Sequence, residues 1–423
     1  MEKKADLDIA VVGGGVAGIV SAYLIGQNHR VSLYEKNDYV GGHTHTVAVD
    51  DDGGSVTGVD TGFIVFNDRT YPNFIRFINR LGVDRTKSPM SFSYWDSGSG
   101  FSYNTTRPFA DRKNLLRPSF WHLLVEILRF NRITRRMLEQ NRLQGLTLGA
   151  YLRQAGFSDA FSKLYLIPIS AAIWSTAEKD MLGFPAHTFA RFFENHGLLS
   201  YMHQPQWYTI KGGSHEYVKA FLKQFSGTVH KGCPVRKIAR ENGRVRLWTD
   251  DGEAVHDKVV IAAHADEALE MLADPSDAEA RLLSPWRYTG NRVVLHRDAS
   301  CLPPLPKARG CWNYRFVSEN AFPAAASPAT LTYYMNQLQQ LSSAHHYCVT
   351  LNPEQQIDPA LVIADLAYMH PLFGEHAVST QPDLPDVNGV NNTWFCGSYF
   401  RYGFHEDAVM SAAAVGADFG VEL

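Results

Sequence analysis

Near the start of the chain an apolar run, Ile9 to Val12, ends in Gly13-Gly14-Gly15-Val16-Ala17-Gly18. These residues spell G-x-G-x-x-G between a predicted buried parallel strand and a predicted helix, Val16 to Ile25. A second strand, Val31 to Tyr34, follows, and Glu35 closes it 20 positions after Gly15. Each part has a physical task. Gly13 permits the tight turn, Gly15 lets backbone amides approach a pyrophosphate, and Gly18 lets the helix pack closely on the strands. The helix N-terminus turns its positive dipole end and free amides toward the diphosphate. Glu35 is placed to accept hydrogen bonds from the adenosine ribose hydroxyls. A glycine triad alone also occurs in turns of unrelated α/β folds. Strand, helix and acid in register point to dinucleotide binding.

That motif does not separate NAD from FAD, but two later features do. Gly41-Gly42-His43-Thr44 supplies a second glycine pair, where the backbone can approach an extended cofactor again. At the far end, Phe395-Cys396-Gly397-Ser398 closes a strand, and Gly403-Phe404-His405-Glu406-Asp407-Ala408 opens a helix. A second helix N-terminus suits the partial negative charge at the flavin N1–C2=O edge. FAD is the expected cofactor.

The rest of the chain sets bounds. With 423 residues it has length for two to three domains at roughly 150 residues each. A formal charge of −3 gives no field for nucleic acid. Five cysteines without a Cys-x-x-Cys pair argue against a disulfide framework or a zinc cage, and a reducing cytoplasm is the expected setting. Ile9 to His29 carries no full charge, but Asp6, Asp8 and the glycines argue against a signal peptide or membrane anchor. Residues 50–85 read as a hairpin and a short helix, and 115–205 as mostly helical. Val229 to Ile238, Val245 to Trp248 and Val259 to Ala263 read as successive strands, and proline-rich loops fall near 303–306 and 323–328. This order predicts interleaving: an FAD-binding domain from 1–85, 207–290 and 385–423, with a substrate domain from 86–206 and 291–384.

These glycine blocks, with Lys211-Gly212-Gly213-Ser214 between them, resemble the flavin-containing amine oxidase superfamily over nearly the whole chain. The expected fold is therefore α/β, a Rossmann-like FAD-binding domain of the glutathione-reductase and amine-oxidase type with an interleaved α+β substrate domain. The resemblance implies that Val59 to Ile64 runs beside the isoalloxazine ring and that Val235 lies near the adenine. Gly397-Ser398 takes the place of a family Gly-acid pair at the ribityl phosphate, with serine replacing the acid. The expected FAD contacts are Gly13, Gly14, Gly15, Val16, Ala17, Gly18, Glu35, Lys36, Gly41, Gly42, His43, Thr44, Gly62, Phe63, Ile64, Val235, Gly397, Ser398, Gly403, Phe404 and His405. The cofactor is expected to be non-covalent.

A narrower likeness rests on Gly-Gly-His-Thr after the acid, on Tyr402 to Asp407, and on Val294-Leu295-His296. These are similar to a bacterial subgroup of FAD-dependent oxidoreductases associated with cyclopropane and furan fatty acid synthesis. That likeness implies a fatty-acyl substrate, desaturated by hydride transfer to flavin N5. The lysine that several amine oxidases use near N5 has no counterpart, since no lysine occurs between Lys258 and Lys307. Phe404, His296 and Phe63 are the expected substrate-pocket residues. His405 and His43 are candidate general bases, or only backbone contacts to the cofactor. No metal is expected, because no histidine has His-Glu-x-x-His spacing, and no Gly-x-Ser-x-Gly suggests a serine hydrolase. A true amine oxidase, a fatty-acid double-bond isomerase and a non-catalytic FAD-binding module are the rival readings.

Independent of the likeness, residues 115–145 interleave apolar and aromatic residues with Arg117, Arg129, Arg132, Arg135, Arg136 and Arg142. Only Glu126 and Glu139 oppose these arginines. Such a basic amphipathic helix suits either packing with a solvated arginine face or docking on the inner face of a membrane.

Overall fold

Ile9, Ala10 and Val11 are fully buried, and a strand without a polar face is at home only inside a covered parallel sheet. The computed structural model, which describes residues 6–51, 54–174, 181–200, 204–316, 330–353 and 357–423, puts it there. Five strands form this sheet: β1 (Asp8–Val12), β2 (Arg30–Tyr34), β3 (Thr228–His230), β4 (Lys258–Ile261) and β5 (Thr393–Phe395). Their spatial order is β3-β2-β1-β4-β5, with every pairing parallel. The longer helices are α1 (Val16–Ile25), α2 (Pro72–Leu81), α3 (Pro118–Glu139), α4 (Ala186–Asn195), α5 (His215–Gln224) and α6 (His405–Asp418). α1 is buried almost throughout, sharing one apolar core with β1, β2 and the Val409, Ala412 and Val415 face of α6. Opposite ends of the sequence are thereby packed against each other.

A second sheet of seven strands lies beyond the first. Its order is Val362–Leu372, Arg287–His296, Cys348–Leu351, Leu331–Tyr334, Trp312–Phe316, Phe92–Asp96 and Ser102–Asn104. All pairings are antiparallel except that of Trp312–Phe316 with Phe92–Asp96. α3 and α4 cover it through an aromatic and aliphatic core that includes Phe120, Phe130, Phe189 and Phe193. The mixed α/β architecture matches the expected class.

Local readings differ in places. The run predicted as one strand from Val229 to Ile238 is two. Gly232, at φ +62°, and Pro234 turn the chain, so that β3 joins the parallel sheet and Val235–Glu241 starts an antiparallel meander. That meander includes a strand the reading missed, Gly252–His256, whose half-exposed residues lack an apolar run. The proline-rich stretch at 323–328 and the first two residues of the Asp52-Gly53-Gly54 turn lie outside the described residues.

Candidate active site

A single cavity of about 1370 Å³ runs from the first glycine turn to α3. Its first end is made mostly of backbone. Gly13 has φ +103°, and a Cβ there would lie 2.6 Å from the Ala262 carbonyl oxygen. A Cβ on Gly18 would lie 1.8 Å from the Gly13 carbonyl oxygen, so only glycine lets α1 cross this close. Gly15 is different: a Cβ there meets nothing within 4 Å, because it would project into the cavity. Gly15 is also the N-cap of α1 and offers no side chain to its amides. The helix therefore presents unsatisfied donors, and its positive end, to an empty-sided cradle.

The second glycine pair seats on the first. Gly41 donates its amide to the Gly14 carbonyl at 2.8 Å, and a Cβ on Gly42 would lie 3.1 Å from the Gly15 Cα. Glu35 is buried on the cavity wall; its carboxylate accepts the Gly14 amide at 2.7 Å and the Asn37 amide at 2.8 Å. Lys36 pairs with Glu267 at 2.6 Å, and Val235 lines the same end. Gly62, Phe63, Ile64, Gly397, Ser398, Gly403 and Phe404 carry the wall onward. A dinucleotide fits this donor set: bare helix amides for a diphosphate, a fixed carboxylate for ribose, and glycine surface between them. Gly14, Gly18 and Thr44 were expected as contacts but lie behind the wall. Gly14 holds Glu35, Gly18 holds α1, and the Thr44 hydroxyl bonds the Tyr217 hydroxyl at 2.6 Å.

One histidine expectation is corrected. His296 is fully buried in the second sheet, away from the cavity wall; its Nε2 meets the Thr350 hydroxyl at 2.8 Å, and its Nδ1 accepts the Asp298 amide at 3.1 Å. With both nitrogens used it is a core histidine. The His405 ring stacks on Phe63 at 3.6 Å between centroids, and its Nε2 meets the Tyr217 hydroxyl at 3.0 Å. Burial pushes its pKa down to about 3. The ring lines the cavity with its Nε2 engaged, which favours the backbone-contact alternative for this residue.

His43 is placed differently. It lines the cavity, and its Nε2 is buried without a hydrogen-bond partner. Its pKa lies well below the ordinary imidazole value, first through burial and then through the His370, His264 and His405 rings. The His370 ring is 5.3 Å away and that of Tyr368 5.0 Å, both on the Val362–Leu372 strand. His370 and His264 were not singled out from the sequence. His370 accepts from the Asn291 amide at 2.8 Å, and Asn291 in turn accepts from Asn352 at 2.7 Å. This chain leaves His370 with its proton on Nε2.

The far end is mostly aromatic and aliphatic, with Thr105, Thr106 and His196 among its lining. Phe404 stacks on Phe192 at 4.7 Å, and Trp174 packs 4.6 Å from Phe192. Ile127, Leu124 and Leu128 of α3 bring the wall to the surface. The acids lining the cavity, Glu35, Glu267 and Glu270, are all at the dinucleotide end. At the head of α6, Glu406 does not serve its own helix alone. It accepts the Asn73 and Phe74 amides at 3.0 and 2.9 Å and so caps α2, while Asp407 accepts the Phe404 amide at 2.9 Å. Among the described residues no cluster could hold a metal, and no helix is long and apolar enough to cross a membrane.

The family model for flavin-containing amine oxidoreductases matches residues 16–301. AofH of Mycobacterium tuberculosis, which carries the name of a flavin-containing monoamine oxidase, is 26% identical over 289 residues. That match covers 64% of this chain and 59% of AofH, so the chain aligns with little more than half of the relative's length. Two solved structures share the fold along essentially the whole chain. The CLA-producing fatty acid isomerase from P. acnes has a TM-score of 0.69 at 16% identity, covering 100% of both chains. Cyclohexylamine oxidase from Brevibacterium oxydans has 0.70 at 14%, covering 98% of this chain and 100% of its own.

Proposed function

The chain belongs to the flavin-containing amine oxidoreductases, and we propose that within this family it is an FAD-dependent oxidoreductase acting on a lipid acyl chain. The observation that carries this reading is the far end of the cavity. Phe192, Trp174, Phe404 and the α3 aliphatic residues line it, and no acid lies there among the described residues to pair with a cationic amine. FAD, when bound, supplies the two-electron acceptor for a hydride leaving carbon. The α1 amides, Glu35 and the stacked glycine pairs would hold it. The aromatic wall holds the acyl chain and excludes water. His43, neutral at ordinary pH with an unpartnered Nε2, is the group in this reading that accepts the proton lost beside the hydride. The acyl chain loses two hydrogens and gains a carbon–carbon double bond; electrons pass on to oxygen or another acceptor. Methyl-branched chains are the substrate class favoured by the motif likeness, and a peripheral position on the inner face of a membrane goes with them.

Incubating flavin-loaded protein with methyl-branched phospholipids should give a product lighter by two hydrogens in mass spectrometry. A double bond that moves without loss of hydrogen would make the protein an isomerase. The likeness to AofH favours a second reading, oxidation of a small amine. Anaerobic bleaching of the flavin by amines and not by lipids would establish that reading and sink the first.

A further inference from the structure

We infer that the outer face of α3, with the turn before it, docks on an anionic bilayer and opens the cavity toward the leaflet. Of the large apolar side chains left exposed in the described residues, five fall between 115 and 128: Leu115 (49%), Leu116 (87%), Trp121 (47%), Val125 (59%) and Leu128 (55%). Such clustering on one surface is unlike the scatter of single exposed apolar residues that a solvated protein carries. Helical geometry puts Trp121, Val125 and Leu128 on one stripe, at i, i+4 and i+7. The opposite stripe, with Phe120, Leu123, Ile127 and Phe130, is buried in the core, so the helix already has its packing partner.

The exposed stripe changes character along its length. Continuing the same angle, it becomes Arg129, Arg132 and Arg136, while Arg112 and Lys113 flank Leu115 and Leu116. Arg132, Arg136, Arg112 and Lys113 are exposed and have no carboxylate partner among the described residues. Glu126, within the helix, is turned inward and accepts the Ser158 amide at 2.9 Å, while Asp111 and the exposed Glu139 flank the stretch without forming an ion pair to it among the described residues. Apolar residues bordered by unpaired cations, with a tryptophan between, match the layering of a leaflet: acyl chains, then anionic headgroups. Charge complementarity therefore names the occupant.

The cavity supplies the second observation. Leu128 is both exposed and part of the cavity lining, and the exposed Thr105 and Thr106 line the same rim. Seating the α3 face on a bilayer sets this rim against the acyl region. An acyl chain then passes from leaflet to cavity without crossing water. The inference rests on the lipid reading only for what passes the rim; docking itself does not depend on it.

The test is co-sedimentation of the flavin-loaded protein with vesicles of phosphatidylglycerol or of phosphatidylcholine. Wild type should sediment with phosphatidylglycerol vesicles, less so as salt rises, and little with phosphatidylcholine. L116E/V125E, changed at two exposed positions outside the cavity lining, should lose at least tenfold in partition while keeping its flavin absorbance. R132A/R136A should lose roughly fivefold per arginine and much of the salt dependence. Wild type staying in the supernatant, or L116E/V125E binding as wild type does, would overturn the inference. So would a wild-type dimer in ultracentrifugation that L116E/V125E splits, since a second copy would then cover the face. Vesicle binding without acyl oxidation would sink the substrate reading alone.

Discussion

The two ends of the cavity are built on different principles. At the dinucleotide end the working surface is backbone: bare α1 amides, glycines in contact, and a single carboxylate fixed by two amides. At the α3 end it is side chains, a set of rings and aliphatic groups drawn from separated segments between Tyr103 and Phe404. Backbone surfaces tolerate few residue types and fix their spacing. Ring-lined walls need only volume and apolarity, which many residues at many positions supply. One end is therefore specified for a single ligand class, and the other is free to vary its substrate.

The sharpest way to break this contrast is a pair of alanines. Gly18→Ala puts a methyl 1.8 Å from a carbonyl oxygen and should leave little soluble protein. Gly15→Ala meets no atom and should fold, yet lose at least tenfold in FAD affinity as read by flavin titration, because its methyl occupies the cradle. Equal behaviour of the two would mean that Gly15 does not face the cofactor. Next in size, Trp174→Ala should cost about 3 kcal/mol of stability in chemical denaturation while flavin content per folded molecule is unchanged. Loss of flavin there would merge the two ends. Glu35→Gln keeps the shape but weakens charge-assisted bonds, and should lower FAD affinity roughly tenfold.

The smallest effect sharpens the comparison at its boundary. His370 and His296 are pushed down to about 4 and His405 to about 3, each by burial. Their folded pKa values are below the unfolded value of about 6.5. As pH falls through that interval the unfolded chain takes up protons that the folded chain refuses, and stability is lost. Burial raises Asp60 and Asp407 to about 7, which acts in the opposite sense over the same interval, so the net change is modest. The melting temperature should be a few degrees lower at pH 5 than at pH 7, and His370→Gln should narrow the gap. A melting temperature higher at pH 5 would show that the carboxylates prevail.

The same contrast explains what could be read in advance. β1, α1, β2, Glu35 and the second glycine pair were legible, because close approach of backbone to backbone demands glycine at fixed offsets. His43 was legible because it follows one of those pairs. His296 was misread because a sequence shows that an imidazole is near a strand end, not which neighbours hold its nitrogens. His370, His264, Trp174 and Phe192 carried no local signal at all, since only pairing of distant strands and helices brings them to the wall. Even the break inside Val229 to Ile238 had its sign, Gly232 and Pro234, though apolar periodicity outvoted it.

α1 and α6 share a core although Gly13 and His405 stand nearly four hundred positions apart, and the cradle draws on both. A nascent chain halted before residue 405 has made half a clasp. Flavin capture must then be a late event in biogenesis, after synthesis has passed α6, and truncations within that helix should accumulate as colourless polypeptide.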